Sequence, residues 1–289
     1  MSITARYLTD ETPADEVNPL QHLLNVCDEV SVEAFNVGNL GDWFSRKGAQ
    51  ISSALTEAFR YLTTADFSRP ETLNSRQLRT VLATVQYTEL STKEAHIPVG
   101  LKGTMGDYAA TLGRDVSPLV DGLLSNVILP AQKRFGHYLS NPNDVKERRE
   151  FSHGSQYSLE QLEKVKAAMA YHLVAGNRSS TREYGEVFDN NLEIVNVCDQ
   201  LNTINASRWA KANPQEMEKQ VGLLIKIATS LFDHLSEGAG ANASAQFTKM
   251  VADELRNVAL WVEWYAVAVT QITDATVAMK ANEKQLMAI

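Results

Sequence analysis

The sequence predicts an all-α protein: a multi-helix bundle of seven to nine helices, with a long C-terminal helix and at most one short β element near residues 95–105. Three observations carry this. Apolar residues recur at helical spacing along nearly the whole chain. Helix-start signals stand where that spacing resumes, as in Ser158 with Gln161 and in Asn213–Pro214–Gln215–Glu216. The spacing lapses clearly at STKEAHIPVGLKGT (91–104), where Pro98, Gly100 and Gly103 replace it.

Residues 1–17 read as an irregular, acidic N-terminal arm. Pro19 suits the first turn of a helix that runs from Asn18 to about Val32, with Leu20, Leu23, Leu24 and Cys27 on one face. The stretch VSVEAFNVGNLGDWFSRKG (30–48) follows. Gly38–Gly41 serves there as a hinge that reverses the chain, and Trp43–Phe44 as the anchor that docks the next helix. That helix spans about 42–64 through Ile51, Leu55, Phe59 and Leu62, and Phe67–Ser68–Arg69–Pro70 breaks it. Leu78, Val81, Leu82 and Val85 mark a third helix over about 74–90, followed at 91–104 by a loop or one short edge strand around Ala95–Val99. Residues 107–139 return to helical spacing, with Pro118 and Pro130 expected to break or kink the helix.

The polar segment 141–157 is the best internal boundary, so the N-terminal helical region is 18–140 and the C-terminal bundle 158–289. A capped helix is expected from Ser158 to about Ala175, where Gly176 ends it. The next spans Thr181 to Ile204, through Tyr184, Val187, Phe188, Val195, Cys198 and Leu201. The helix opened by Asn213–Pro214 runs to about Leu235, with Val221, Leu224, Ile225, Ala228 and Phe232 inward. SEGAGANAS (236–244) connects it to a final helix from near Ser244 to Gln285, roughly 60 Å long at 1.5 Å per residue. That helix is apolar on two flanks. One carries Trp261, Tyr265 and Ile272; the other carries Leu260, Trp264 and Val267. Two apolar flanks mark a helix that is central in a bundle or clamped by a partner, so Leu260, Trp264 and Val267 are candidate partner contacts, as are Trp43 and Phe44.

Composition narrows the function. The 289 residues are 44% hydrophobic and 21% charged, within the range of a globular chain. No run of eighteen apolar residues is present, so no membrane helix is expected, and the polar start MSITARYLTDETPADEVNP has no signal-like apolar core. The net charge is −8. Such a chain does not hold nucleic acid through bulk electrostatics, and its densest basic run, Lys146–Glu147–Arg148–Arg149–Glu150, reads as a solvated helix face. Cys27 and Cys198 both lie in apolar patterns, as expected for buried free thiols in a reducing compartment.

No catalytic or cofactor signature is found. Glu150-Phe-Ser-His153 is a single Glu-x-x-His where a di-metal bundle needs two, and it lies in the polar segment. The histidines form no HxxxH or HExxH pair; His172 reads as structural. Gly100-Leu-Lys-Gly103-Thr-Met-Gly106 lacks the spacing of a phosphate loop, and Gly238-Ala-Gly240 has no strand before it. There is no GxSxG, and acid pairs such as Glu160/Glu163 fall on solvated faces. No cofactor and no metal are expected, and the chain is not expected to be an enzyme. The alternatives are a helical enzyme or cofactor-binding protein with a site between the two halves, and a cytoplasmic scaffold or adaptor.

The layout itself carries a resemblance. An acidic arm leads to the aromatic-glycine segment VEAFNVGNLGDWFSRKGAQIS. A mid-chain turn, NTINASRWAKANP, follows, and then the terminal helix VALWVEWYAVAVTQITDATVAM. Over most of the chain this resembles the virion structural and internal head proteins of large tailed bacteriophages. The resemblance implies a non-enzymatic part of the phage particle, head-associated as an inner or minor capsid protein and made in the host cytoplasm. It would act by contact with capsid or other virion proteins or by self-association, without a membrane and without direct sequence-specific contact to nucleic acid. Some members of that family are trimmed after a Glu in a small-x-Glu context. Ser31–Val32–Glu33 before Ala34 matches that pattern and makes Glu33/Ala34 a possible processing site; Ser158–Leu159–Glu160 matches it too.

Overall fold

The computed structural model describes residues 71–140, 180–236 and 245–289, with positions 53, 160, 162–164 and 167. The arm, the hinge at Gly38–Gly41, the helices expected before residue 71 and the segment 141–157 lie outside the described residues. Helix makes up 78% of what is described, and the fold is all-α with one small two-stranded sheet.

In chain order the elements are α1 (Ser75–Leu82), α2 (Tyr87–Leu90), β1 (Glu94–Ile97), α3 (Met105–Thr111), α4 (Ser117–Leu123), α5 (Leu129–Ser140), β2 (Ser180–Glu183), α6 (Tyr184–Val187), α7 (Asn191–Lys211), α8 (Pro214–Ser236) and α9 (Ala245–Leu286). α3, α4 and α5 form one rod, joined by wide π turns at Leu112–Val116 and Leu124–Ile128. The rod runs alongside α7 in the same direction: the Glu193 carboxylate packs over Gly106, Ile204 lies near Gly113, and Ser207 bonds Asp121. α9 runs the opposite way. Asn282 reaches β1, Thr276 meets Asn205, Tyr265 meets Ala212, and Glu254 pairs with Arg134 of α5.

Of the break or kink expected at Pro118 and Pro130, the break does not occur: the rod continues through both prolines. A proline in a helix lacks an N–H, and its ring collides with the carbonyl four residues back. Those carbonyls belong to Arg114 for Pro118 and Asn126 for Pro130, and both sit inside the π turns. The extra residue in each turn moves the carbonyl away and lets the helix continue.

Two further boundaries differ from expectation. Residues 180–183 are strand, not helix; they pair antiparallel with β1, with Ala95 opposite Arg182. The helical spacing of Tyr184, Val187 and Phe188 belongs to the single turn α6, and α7 begins only at Asn191. There Asn190 Oδ1 accepts from Glu193 N at 3.0 Å, and the Glu193 carboxylate accepts from Asp189 N. NTINASRWAKANP is not a turn up to its end: α7 continues through Lys211, and the break is confined to Ala212–Asn213. Trp209 therefore lies, half-buried, in the last helical turn. The expected strand in the 91–104 loop is present as β1. After it, Gly100 has φ 78°, and Leu101 N donates to Pro98 O at 3.3 Å, a turn geometry that needs a glycine.

Buried apolar residues from both sides of 141–157 make one core, from Leu78, Tyr108 and Phe135 to Val195, Leu224, Trp261 and Ile272. Leu162, from the helix expected after Ser158, joins it. Asparagine side chains lock the ends of this core to the backbone. Asn282 Oδ1 accepts from His96 N at 2.7 Å while its Nδ2 donates to His96 O at 2.8 Å, so the amide acts as a further strand beside β1. Asn202 does the same for Leu73, at 2.9 and 2.8 Å. Asn191 Nδ2 donates to Leu82 O and Val85 O, carbonyls released where the helix expected over 74–90 divides into α1 and α2. At the α7–α8 break, Asn213 Oδ1 accepts from Glu216 N at 2.8 Å and the Tyr265 hydroxyl donates to Ala212 O at 2.8 Å. Each bond satisfies a backbone group that burial would otherwise leave unpaired.

Candidate functional site

A groove of about 910 Å³ lies between the rod and α7. Its floor follows from the helical period. Gly113, Ser117 and Asp121 stand four residues apart on one side, and Thr203, Ser207 and Lys211 four apart on the other. Small and hydroxylated residues at these positions leave a trough where larger ones would interlock.

Asp121 is the chemical centre of the groove. Its side chain is 12% exposed. The Ser207 hydroxyl donates to its Oδ2, and Lys211 Nζ lies 3.4 Å from the same oxygen. Its Oδ1 is buried, with no hydrogen-bond partner among the described residues. The neighbouring hydroxyls spend their protons on their own helices: Thr203 Oγ1 donates to Asp199 O at 2.9 Å and Ser125 Oγ to Gly122 O at 3.2 Å. Their oxygens are left as acceptors. Ser207 is not arranged as a nucleophile, because it faces a carboxylate without an imidazole, and the nearby Lys211 ammonium is 62% exposed. The arrangement leaves hydrogen-bond acceptors and one ammonium along the groove.

The other reactive side chains are withdrawn. Burial, followed by the charges of Glu283 and Asp199, pushes the Cys198 thiol up to about 12. Burial also pushes the Tyr265 phenol up to about 12, against the opposing field of Arg208. Peptide-resolved alkylation at pH 8 is therefore expected to leave Cys198 unlabelled in the native chain and to label it fully in denaturant; native labelling would contradict its burial. No group of three or more His, Cys, Asp and Glu among the described residues is placed to hold a metal.

Arg208 presents a different oddity. It is 1% exposed, in the last turn of α7, and none of its three guanidinium nitrogens has a hydrogen-bond partner among the described residues. Desolvation lowers its affinity for a proton, and Tyr265 opposes this. Its place at the carbonyl end of α7 gives it a favourable helix dipole.

Of the expected contact residues, Glu33, Ala34, Trp43 and Phe44 lie outside the described residues. Trp264 is buried within the chain. It is 1% exposed and meets Trp261 edge-on at 5.6 Å between ring centroids. Leu260 and Val267 are partly buried against the same core. The second flank of α9 is apolar because β1, α1, α4 and α7 surround the helix. The exposed large apolar residues among the described ones are Leu129, Leu192, Leu223, Val277 and Ile289.

Sequence reading missed Asp121, Ser207, Lys211, Arg208 and the asparagine locks. The only advance signal for the groove is the four-residue spacing of small and polar residues, which any solvated helix face also shows. Comparison with protein-family models, with curated proteins and with solved structures finds no match for this chain.

Proposed function

We propose that the chain is a non-enzymatic structural component of a bacteriophage particle, head-associated as an inner or minor capsid protein, which works through contacts with capsid or other virion proteins or with its own copies. The observation that carries this reading is where the polar side chains go. Asn282 and Tyr265 of the 42-residue helix α9, with Asn202 and Asn191 of α7, are spent on fixing backbone, and the buried thiol is held protonated. Such a framework keeps distances, which is what a particle component needs. The layout of the acidic arm, the aromatic-glycine segment and the terminal helix supplies the resemblance to phage head proteins. No helix among the described residues is long and apolar enough to cross a membrane, and the net charge of −8 favours protein partners over packaged nucleic acid.

Quantitative mass spectrometry of purified particles tests the proposal. The chain is expected at a fixed ratio to coat protein. Presence in infected-cell lysate but absence from particles would favour the scaffold or adaptor instead.

The groove supports a second reading, a ligand-binding helical protein. Its walls come from residues 109–126 and 199–211, one on each side of the polar segment 141–157, where a site between the two halves was expected.

A further inference from the structure

We infer that the groove between the rod and α7 binds a neutral, polyhydroxylated small molecule, a saccharide or polyol, with a hydroxyl seated between Asp121 and Lys211. The inference deepens the ligand-binding reading and is independent of whether the chain is a virion component.

The chemistry favours this class over an ionic ligand. The charged groups lining the groove are Arg114, Lys211, Asp121 and Asp199, two of each sign. Each has a partner: Arg114 with Asp115 at 2.7 Å, Lys211 with Asp121 at 3.4 Å, and Asp199 with Arg79 at 3.5 Å. No net field is left to hold an ion. Between Asp121 and Lys211 a ligand group must both donate to the carboxylate and accept from the ammonium. An ammonium only donates and a carboxylate only accepts; a hydroxyl does both. The remaining wall asks chiefly for donors, because Thr203 and Ser125 have turned their protons onto helix carbonyls and offer oxygen lone pairs. Asp121 Oδ1 is buried and has no donor among the described residues, so the carboxylate has acceptor capacity to spare. A volume of about 910 Å³ holds a mono- to trisaccharide-sized molecule.

The test is amide chemical-shift mapping of the full-length chain against glucose, trehalose, N-acetylglucosamine and glycerol, with putrescine and succinate as ionic probes. Saccharide-dependent shifts are expected at Ser117, Asp121, Thr203 and Ser207, with affinity lowered about tenfold by Asp121→Ala, the loss of one charge-assisted hydrogen bond. Lys211→Met, at a largely exposed position, and Ser125→Trp, which fills the trough, serve as variants that leave the core intact; both are expected to weaken binding. The inference is overturned if no neutral hydroxylated probe shifts these amides, if putrescine or succinate binds there in preference, or if the three substitutions leave saccharide affinity unchanged. A chain found in purified particles yet silent to every probe would overturn this inference alone.

Discussion

Replacing Arg208 with methionine is expected to stabilise the protein, by about 1–4 kcal/mol in denaturant unfolding with an unchanged slope. The direction follows from the surroundings of the side chain. A guanidinium that is 1% exposed has lost its hydration, and no carboxylate or carbonyl among the described residues replaces it. The dipole of α7 recovers only part of that loss, because a helix terminus contributes about 0.3–1 kcal/mol and at best about 2. Methionine matches the length and flexibility of the stem, and fills the same space beside Tyr265 without a charge to desolvate. The measured sign is decisive. A loss of about 3–5 kcal/mol would mean that Arg208 is held by an acidic partner, because that is the cost of breaking a buried pair. A gain identifies Arg208 as a residue kept for something other than stability, at the place where α7 gives way to α8.

Replacing Asn282 with alanine is expected to have the largest destabilising effect among the polar positions, about 2–4 kcal/mol. Asn282 is fully buried and bonds both the N–H and the C=O of His96. Alanine removes two hydrogen bonds at about 1 kcal/mol each and leaves two backbone groups at the edge of β1 without a partner. The loss reaches the site indirectly, because β1 pairs with β2, whose Arg182 donates to Leu101 O and Gly103 O just before the rod begins. Hydrogen exchange resolves the cause: the His96 amide is expected to be protected in the parent and to exchange far faster in the variant. Equal protection in both would show that water or another group takes the place of Asn282. Asn282→Asp keeps the acceptor and loses the donor, and is expected to destabilise at least as much near neutral pH because it adds a buried charge.

Where local chemistry and packing agree, the sequence is a good guide to this fold. Asn213–Pro214–Glu216 announces α8, and the cap is observed. The last helix, expected from near Ser244 to Gln285, is Ala245–Leu286. The short strand in the 91–104 loop was readable because Pro98, Gly100 and Gly103 exclude a helix. Most of the failures share a cause, which is a partner distant in sequence. Ser180–Glu183 is strand because β1 lies beside it, although its own residues do not forbid a helix. Pro118 and Pro130 are absorbed by π turns, whose extra residue no periodicity count reveals. Trp264 reads as a surface anchor until the elements that bury it are in place. The groove was illegible for the same reason. Asp121 and Ser207 are 86 positions apart, and each alone is an ordinary polar residue on a helix. The asparagine locks are likewise silent in sequence, since asparagine there looks like a turn or cap residue.

Cross-linking mass spectrometry on intact purified particles tests the proposed role most directly. Lys93 just before β1, Lys133 on α5, and Lys219 and Lys226 on α8 are exposed and report on three places of the described fold. The account predicts reproducible cross-links from one or more of them to capsid or other virion proteins, or to a second copy of this chain. Particles in which the chain is absent, or present without a single cross-link to another molecule, would contradict it.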